Sequence, residues 1–213
     1  MLDAGSGYGG TAFDLQPKIG GHWLGLTISQ TQIERARGEA KRRGLSDRIQ
    51  FALQSYDSPL AASFDLIIGI ESLVHSSHPP STIDNLAHHL SKGGHFVLVD
   101  DMPVESLPEK LVSDVAEAKR MWRCPVMPTE QGWRAVFEAA GLEIVRSLDL
   151  SKLVYHRPVE EMTRQIERDR RRAKLLGWSG LRMIPEANVG GLLLERLATQ
   201  GVMQYRVLVG RKS

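Results

Sequence analysis

A glycine-rich turn near the start of the chain is the sharpest chemical signal in the sequence. Residues 2–10 read LDAGSGYGG, an apolar strand that passes through glycines into the start of a helix. Glycine lets backbone N–H groups approach a ligand closely, and a helix N-terminus favours anionic groups. Gly5, Gly7 and Gly10 also fit the G-x-G-x-x-G spacing of dinucleotide-binding turns. The turn indicates an adenosine-bearing cofactor without choosing which one, and a turn that binds no ligand is the alternative.

The segment after the second predicted strand argues against a nicotinamide cofactor. Such sites place an Asp or Glu about 20 residues after the glycines, where it binds the ribose. Here residues 25–30 read GLTISQ and contain no acid. Ser29 and Gln32 also fit an S-x-x-Q capping box, which would satisfy free N–H groups at a helix start without any ligand. Helix capping is therefore one explanation of this segment, and ligand binding is the other.

A short stretch after the fourth predicted strand holds residues that could act on protons. Residues 71–78 read ESLVHSSH and include Glu71, Ser72, His75 and His78. An imidazole or a carboxylate can serve as a general base when a nucleophile must lose a proton. His75 could be this base or contact a substrate, and Glu71 could contact a cofactor or orient His75. The alternative for His75 is a packed or solvent-facing side chain.

The sequence does not predict a metal site. His75 and His78, and the adjacent histidines 88–89, lack a neighbouring Cys or carboxylate cluster at ligand spacing. The acid pair 100–101 could serve a metal-dependent enzyme, but acids at the end of a strand more often cap the next turn. The single cysteine, Cys124, can form neither an internal disulfide nor a thiolate cluster.

Strand-like and helix-like stretches alternate through the first two thirds of the chain, which is typical of a parallel sheet with helices on its faces. Near-continuous apolar runs suit strands that are buried on both faces. The predicted strands cover 1–4, 22–28, 48–53, 64–70, 95–100, 142–148 and 203–209. A helix follows the glycine turn, and further predicted helices cover 30–43, 81–90, 107–122, 130–140, 159–176 and 192–198. We expect Gly93 and Gly94 to close the helix at 81–90.

Length and composition fit a single domain over 1–213, because 213 residues with 42% hydrophobic and 24% charged side chains can bury a sizeable core. No internal repeat or low-complexity tract divides the chain. Helical stretches at 102–128 and 156–198 interrupt the alternation and are predicted to be cap insertions at one edge of the sheet. Their large apolar side chains could form a substrate roof or simply pack: Met121, Trp122, Trp178 and Met183.

The charge distribution gives little support for a nucleic-acid partner. Twenty-seven basic against 25 acidic residues leave a formal net charge of +2, so the chain as a whole presents no field for a polyanion. A local basic excess between Arg164 and Lys174 could meet phosphate. No interleaved aromatic platform accompanies it, and we favour a solvated helix face as its explanation.

Taken together, these motifs resemble the class I S-adenosylmethionine-dependent methyltransferases, and within them the branch of tocopherol and sterol C-methyltransferases and cyclopropane fatty acid synthases. The resemblance is carried by LDAGSGYGG, GLTISQTQ at 25–32, SYD at 55–57 and FDLIIGIES at 64–72. It continues in LSKGGHF at 90–96, AAGL at 139–142 and GVMQY at 201–205. Several landmarks in the right order are far more specific than the glycine turn alone.

The resemblance implies the fold and the cofactor. The fold would be α/β, a Rossmann-like doubly wound sheet that is mostly parallel, with a C-terminal antiparallel strand and helical cap insertions. The cofactor would be S-adenosyl-L-methionine, with its ribose at Thr27 and Gln32, its adenine at Ser55 and Tyr56, and its methionine portion at the glycines. The cofactor-binding residues implied in this way are Asp3, Gly5, Ser6, Gly7, Gly9, Thr27, Ile28, Gln32, Ser55, Tyr56 and Ile70.

The resemblance also implies His75 and Glu71 as catalytic candidates. The tocopherol and cyclopropane branch carries an acid immediately before the histidine, and this chain has Val74 there. This departure argues against a cyclopropane synthase, whose site needs that acid to help hold a bicarbonate. It leaves His75 in place as a base for an acceptor that must lose a proton.

We therefore expect methyl transfer to a small apolar or amphipathic metabolite through an oxygen, nitrogen or carbon acceptor. The alternatives are a nucleic-acid methyltransferase, a nicotinamide oxidoreductase and a catalytically inert, truncated cofactor-binding domain. The segment after the fourth strand lacks the Asn/Asp-Pro-Pro-Tyr type of sequence found in enzymes that methylate an exocyclic base nitrogen. A homodimer is compatible with the sequence.

The sequence begins inside its first predicted strand, whereas similar proteins carry additional helices before it, so we expect a truncated chain or a misassigned start. No window approaches the roughly 20 apolar residues that span a bilayer. The first residues, Met1, Leu2 and Asp3, do not resemble a secretion signal. Together with the lone cysteine, these features predict a soluble, cytoplasmic protein.

Overall fold

The computed structural model describes residues 1–177 and 180–213. Its strands are β1 Leu2–Ala4, β2 Trp23–Thr27, β3 Ile49–Leu53, β4 Phe64–Ile70, β5 Leu90–Pro103, β6 Leu142–Asp149 and β7 Met203–Lys212. Its helices are α1 Gly10–Ile19, α2 Gln30–Arg42, α3 Pro79–His88, α4 Val112–Trp122, α5 Glu130–Ala139, α6 Val159–Leu175 and α7 Met183–Thr199. The predicted roof residue Trp178 lies outside the described residues.

The strands form one sheet in the order β3-β2-β1-β4-β5-β7-β6. The pairs from β3 to β5 are parallel, and β7 runs antiparallel to both of its neighbours, β5 and β6. The chain order reverses direction across the sheet at β1 and β4, where the carboxyl ends of the strands leave a crevice. The predicted fold class, a mostly parallel doubly wound sheet with an antiparallel C-terminal strand, is confirmed.

The central strands carry apolar side chains on both faces of the sheet, so an apolar layer of helices covers each face. One layer packs α1 and α2 against the sheet through Phe13, Ile33 and Phe51, and the other packs α3 and α5 through Ile83 and Trp133. A third cluster is built from α4, α6 and α7 and lies outside these two layers. We call this third cluster the cap; it includes Val115, Met162, Ile166, Leu193 and Leu197.

Several predicted boundaries are wrong for local physical reasons. Helix α3 covers 79–88 instead of 81–90, because prolines fit the first helical turn and the His78 side chain accepts a hydrogen bond from the Ser81 N–H. Gly93 and Gly94 lie inside β5 near a register irregularity and do not close a helix. Helix α4 starts at Val112 after a short 3-10 turn, and α7 is longer than predicted because it starts at Met183.

Candidate active site

The glycine turn adopts a backbone that side chains would hinder. Gly5, Gly7 and Gly9 have φ values of 93°, 52° and 86°, in the left-handed region that favours glycine. A Cβ atom on Gly5 would lie 2.4 Å from the Cβ of Ser72, whereas a Cβ on Gly7 would have no atom within 4 Å. The turn is therefore tightly packed against the end of β4 on one side and open at Gly7.

A cavity of about 460 Å³ lies beside this turn. We call it the nucleotide cavity. Nine predicted site residues line it: Gly5, Gly7, Thr27, Ile28, Gln32, Ser55, Tyr56, Glu71 and His75. They come from the ends of β1, β2, β3 and β4. The parallel strands thus bring segments that are distant in sequence to one edge of the sheet.

Four predicted cofactor residues are not among the lining residues of this cavity. Ser6 is buried and its Oγ donates to the Leu26 carbonyl oxygen at 3.2 Å. Gly9 is the N-cap of α1, and Ile70 packs against the core. These three residues hold the turn and the strand ends in place around the cavity.

The fourth, Asp3, is buried in β1 two residues before Gly5. Its Oδ2 atom has no hydrogen-bond partner among the described residues. Burial raises the pKa of Asp3 to about 7, because removing a carboxylate from water disfavours its charged form. An unpaired carboxyl oxygen directly behind the glycine turn suits a ligand that carries a donor group.

The segment that begins α2 divides the capping and cavity roles between different atoms. The Ser29 Oγ accepts a hydrogen bond from the Gln32 N–H at 3.4 Å, so Ser29 caps the helix. The Ser29 N–H donates to the Thr27 Oγ1 at 3.1 Å, so the reciprocal bond of a capping box is absent here. The Thr27 hydroxyl donates to the Gln32 Oε1 at 2.6 Å. Thr27 and Gln32 are thus held together as a polar pair on the wall of the nucleotide cavity.

Four residues that were not predicted as cofactor contacts also line the nucleotide cavity, although Ser72 is among the proton-transfer candidates at 71–78. These residues are Gln54, Asp57, Ser72 and Leu26. Asp57 accepts a hydrogen bond from Thr82, and Ser72 donates through its Oγ to the Ala4 carbonyl oxygen at 2.6 Å. Asp57 and Ser72 belong to the quoted motifs SYD and FDLIIGIES, so position within those motifs was the available signal.

A second cavity of about 380 Å³ adjoins the first, and Glu71 lines both. We call it the cap cavity, because its other walls come from the cap, from the chain before α6 and from the ends of β5 and β7. Its lining residues are Glu71, Asp101, Trp122, Ser151, Val154, Tyr155, His156, Arg157, Gly191, Leu194, Glu195, Ala198 and Tyr205. Of the predicted roof residues, Trp122 lies here, and Met121 packs against the cap.

Glu71 stands between the two cavities in a strained backbone conformation. Its φ is 49°, which is uncommon for a residue with a side chain. Its N–H still bonds to the Val99 carbonyl oxygen at 2.9 Å, and its Oε1 accepts a hydrogen bond from the Tyr205 hydroxyl at 3.0 Å. Strain of this kind persists where the surroundings fix the backbone, and it is concentrated at functional sites.

His75 lies on the wall of the nucleotide cavity, in the 3-10 turn that follows β4. Its Nδ1 lies 3.2 Å from the Arg123 carbonyl oxygen. Because a carbonyl oxygen can only accept, this bond assigns the proton to Nδ1 and leaves Nε2 without one in the neutral ring. No hydrogen bond between Glu71 and His75 is found among the described residues, so Arg123 and not Glu71 orients the imidazole.

The paired acids at 100–101 differ in their environments. Asp100 is buried and accepts hydrogen bonds from the backbone N–H groups of Asp101 and Val74, so it caps the turn after β4. Burial, followed by the charge of Asp101, raises the pKa of Asp100 to about 8. Asp101 faces the cap cavity, and burial together with the charge of Glu71 raises its pKa to about 6.

The basic stretch between Arg164 and Lys174 lies on α6, outside both cavities. Arg170 pairs with Glu117 at 2.7 Å, Arg172 with Asp169 at 3.5 Å and Arg171 with Glu167 at 3.9 Å. The Arg171 pair is exposed and contributes little to stability, whereas the Asp169 carboxylate that pairs with Arg172 is buried. These pairs neutralise part of the basic excess that could have met phosphate.

Comparison with known proteins identifies the class to which this fold and this crevice belong. A family of methyltransferase domains matches residues 1–141, which is most of the chain. The chain belongs to this family. The proposed resemblance to class I methyltransferases is confirmed.

Two of the relatives of this chain bear the names of O-methyltransferases. An O-methyltransferase, rstn1, of Aspergillus nomiae is 28% identical over 152 residues, which cover 70% of this chain and 67% of that protein. A protein of Oryza sativa subsp. japonica that bears the name "Probable tocopherol O-methyltransferase, chloroplastic" is 28% identical over 162 residues, which cover 72% of this chain and 45% of that protein. The chain spans about half to two thirds of the length of these relatives.

A solved structure supports the fold. The O-methyltransferase of a trans-AT PKS multienzyme of Brevibacillus brevis, in complex with S-adenosyl-L-homocysteine, has a TM-score of 0.74. It is 18% identical, and the match covers 100% of this chain and 66% of that one. Within the described residues, no helix is long and apolar enough to cross a membrane.

Proposed function

We propose that this chain transfers a methyl group from S-adenosylmethionine to a small apolar or amphipathic molecule. The observation that carries the proposal is the junction of two cavities at Glu71, one beside the glycine turn and one beneath the cap. A cofactor in the first cavity and an acceptor in the second would meet at this residue.

The residues of the nucleotide cavity fit the parts of this cofactor. Gly5 and Gly7 would lie along its methionine portion, where a Cβ at Gly7 has free space. Thr27 and Gln32, already paired at 2.6 Å, would bind the ribose hydroxyls. Ser55 and Tyr56 would border the adenine. The Asp3 Oδ2, two residues before Gly5, has no hydrogen-bond partner in the part of the chain that the structure describes and would favour a cofactor group that donates a hydrogen bond.

The cofactor, when bound, supplies a methyl group on a sulfonium sulfur that is a good leaving group. The chain's own residues then have to align the acceptor and exclude water, and alignment alone can contribute about 7–11 kcal/mol in favourable intramolecular reactions. His75 offers an unprotonated Nε2 for an acceptor that must lose a proton. Glu71, held by Tyr205, would position the acceptor between the cavities.

The cap is the proposed roof of the acceptor site. We propose that the stretches at 102–128 and 156–198 are insertions on a single domain. Trp122 from the first stretch and Tyr155 from the second both line the cap cavity. Their apolar surfaces suit an apolar or amphipathic acceptor, which would leave bulk water as it enters.

Calorimetric titration with S-adenosylhomocysteine and, separately, with NAD⁺ tests the cofactor assignment. We expect saturable 1:1 binding of S-adenosylhomocysteine and none of NAD⁺, because Thr27 and Gln32 replace the acid of a nicotinamide site. Thermal unfolding with the same ligands gives a second readout, since a ligand that binds the native state raises the melting temperature. Stabilisation by NAD⁺ alone would support an oxidoreductase, and stabilisation by neither would support an inert domain.

A salt titration addresses the nucleic-acid alternative. A nucleic-acid methyltransferase would bind RNA or DNA with an affinity that falls steeply with salt and depends on Arg170, Arg171 and Arg172. We expect no such binding. A steep salt dependence that is lost when these arginines are neutralised would favour the alternative over a small-molecule acceptor.

A further inference from the structure

The cap cavity contains more negative than positive groups. Three carboxylate side chains line it, those of Glu71, Asp101 and Glu195, together with the guanidinium of Arg157. The Arg157 side chain donates three hydrogen bonds to Glu195: Nη2 to Oε2 at 2.6 Å, and Nε to Oε2 at 3.0 Å and to Oε1 at 3.3 Å. Its backbone N–H also donates to Oε1 at 2.6 Å. The charge of Arg157 is therefore paired with the carboxylate of Glu195.

The two remaining carboxylates stand without a cation. Among the described residues, neither Glu71 nor Asp101 forms a salt bridge. They are close in the fold, because Asp101 pairs in register with Tyr205 and the Tyr205 hydroxyl donates to Glu71. His156 also lines the cap cavity, and its buried Nδ1 has no hydrogen-bond partner among the described residues.

Aromatic and apolar side chains surround these carboxylates. Trp122, Tyr155 and Tyr205 line the cavity together with Leu194 and Val154. Aromatic faces attract cations, and the attraction increases when water is excluded. The walls thus combine two carboxylates for a positive group with aromatic and aliphatic surface for an apolar body.

We propose that the cap cavity binds a protonated amine with an apolar body, and that Asp101 and Glu71 bind its ammonium group. This inference rests on the proposed function, and it assigns nitrogen as the methyl acceptor. An anionic substrate would meet two like charges, and a neutral alcohol would leave both carboxylates without a cation. A protonated amine is the acceptor class that satisfies both the charge and the apolar walls.

The bound ammonium must lose a proton before its nitrogen can accept a methyl group. Because Asp101 lines the cap cavity and His75 does not, Asp101 takes that proton in place of His75. One N–H bond breaks with its electron pair left on nitrogen, and an O–H bond forms on the carboxylate. The substrate becomes a neutral amine and Asp101 becomes a neutral acid, so the total charge is unchanged. Burial, which raises the pKa of Asp101 to about 6, makes this carboxylate a better proton acceptor than an exposed one.

Three matched indoles test the inference by calorimetry on the protein saturated with S-adenosylhomocysteine. They are tryptamine, its neutral alcohol tryptophol, and the anion indole-3-propionate. We expect tryptamine to bind at least about tenfold more tightly than tryptophol, as a charge-assisted contact in a partly buried site predicts. We expect the anion to bind most weakly.

The variant Asp101→Asn tests which carboxylate carries the effect. It should reduce the preference for tryptamine over tryptophol about tenfold. It should leave the affinity for S-adenosylhomocysteine within about twofold, because Asp101 lines only the cap cavity. The control Glu109→Gln removes an exposed acid outside both cavities and should change neither affinity. An unchanged preference in Asp101→Asn would contradict the assignment.

Two failures are distinguishable in this experiment. If S-adenosylhomocysteine binds but tryptamine binds no more tightly than tryptophol, the amine inference is overturned and the proposed cofactor site stands. If S-adenosylhomocysteine does not bind, the proposed function fails and the inference fails with it. The comparison among the three indoles uses the unaltered protein, so it does not depend on whether Asp101→Asn folds.

Discussion

The two cavities that meet at Glu71 are assembled in different ways. Residues within a few positions of four strand ends form the nucleotide cavity, where bonds between sequence neighbours, such as Thr27 with Gln32, occur beside long-range bonds such as Ser72 with the Ala4 carbonyl oxygen. The cap cavity depends on long-range contacts, such as Tyr205 with Glu71 and Arg157 with Glu195. Local hydrogen bonds and the parallel strand order together build the first cavity, whereas the second depends on packing of the cap against β5 and β7.

The comparison implies that substitutions in the two regions should separate cofactor binding from cap stability. The largest expected effect is at Gly5. Gly5→Ala should weaken S-adenosylhomocysteine binding about 100-fold and destabilise the fold by about 1–3 kcal/mol, because a Cβ would meet Ser72 at 2.4 Å in a left-handed backbone. Calorimetry and urea unfolding measure the two quantities.

Gly38→Ala is the matched control for Gly5→Ala. Gly38 lies in α2, and a Cβ there would have no neighbour within 4 Å. We expect this change to stabilise the fold by up to about 1 kcal/mol, since Ala is the better helix former. If Gly5→Ala and Gly38→Ala have the same cofactor affinity and the same free energy of unfolding, close packing at Gly5 is not required for cofactor binding.

Gly190→Ala should perturb the cap alone. A Cβ on Gly190 would lie 2.6 Å from the Trp122 backbone N, so α4 and α7 would have to separate. We expect a loss of about 1–3 kcal/mol in urea unfolding, with S-adenosylhomocysteine affinity within about twofold of the original. Gly191→Ala, which meets only the Trp122 ring at 3.2 Å, should cost less. A large loss of cofactor affinity in Gly190→Ala would show that the two regions are not separable.

The buried Asp3 makes the nucleotide region sensitive to pH. Its native pKa of about 7 exceeds the ordinary value of 3.8, so between these values the unfolded chain releases a proton that the native protein keeps. The free energy of unfolding therefore falls as pH rises from about 4 to 7. Asp3→Asn should restore about 1–3 kcal/mol at pH 8 and change little at pH 4.

Melting temperatures across pH measure this effect. The exposed Asp14→Asn in α1 is the control, and we expect it to leave the pH dependence of the ligand-free protein as it was. If Asp3→Asn shows the same fall in stability as the original chain, the cost lies with another buried group, for which Asp100 is the candidate.

The smallest expected effects separate capping from ligand binding at the start of α2. Ser29→Ala should cost about 1 kcal/mol of stability through the lost cap and leave S-adenosylhomocysteine binding nearly unchanged. Gln32→Ala should do the reverse, weakening binding about fivefold to tenfold through lost hydrogen bonds with little change in stability. Melting temperatures and calorimetric affinities of both variants separate the two roles. A loss of stability in Gln32→Ala with unchanged S-adenosylhomocysteine affinity would mean that Gln32 is structural.

The comparison also explains what could be predicted from the sequence. Apolar runs and glycine positions predicted the seven strands and the turn at 5–10, because these signals lie within single elements. The motif order placed nine predicted residues at one cavity. Ser29 and Gln32 were both identified before the structure divided capping and cavity roles between them.

The cap cavity could not be derived in the same way. Tyr205 lies in β7 and Glu195 in α7, and their cavity partners Glu71 and Arg157 are far away in the chain. Periodicity shows that a helix has an apolar face, but it does not show which helix covers it. The extended β5 was missed for a related reason, since its pairing with β7 up to Pro103 is tertiary.

The most direct test of the account is a crystal structure of this protein with S-adenosylhomocysteine. We expect the ligand in the nucleotide cavity, with its ribose hydroxyls hydrogen-bonded to Thr27 or Gln32 and its sulfur facing Glu71 and the cap cavity. A ligand whose ribose lies away from both side chains, or whose sulfur points away from the cap cavity, would contradict it.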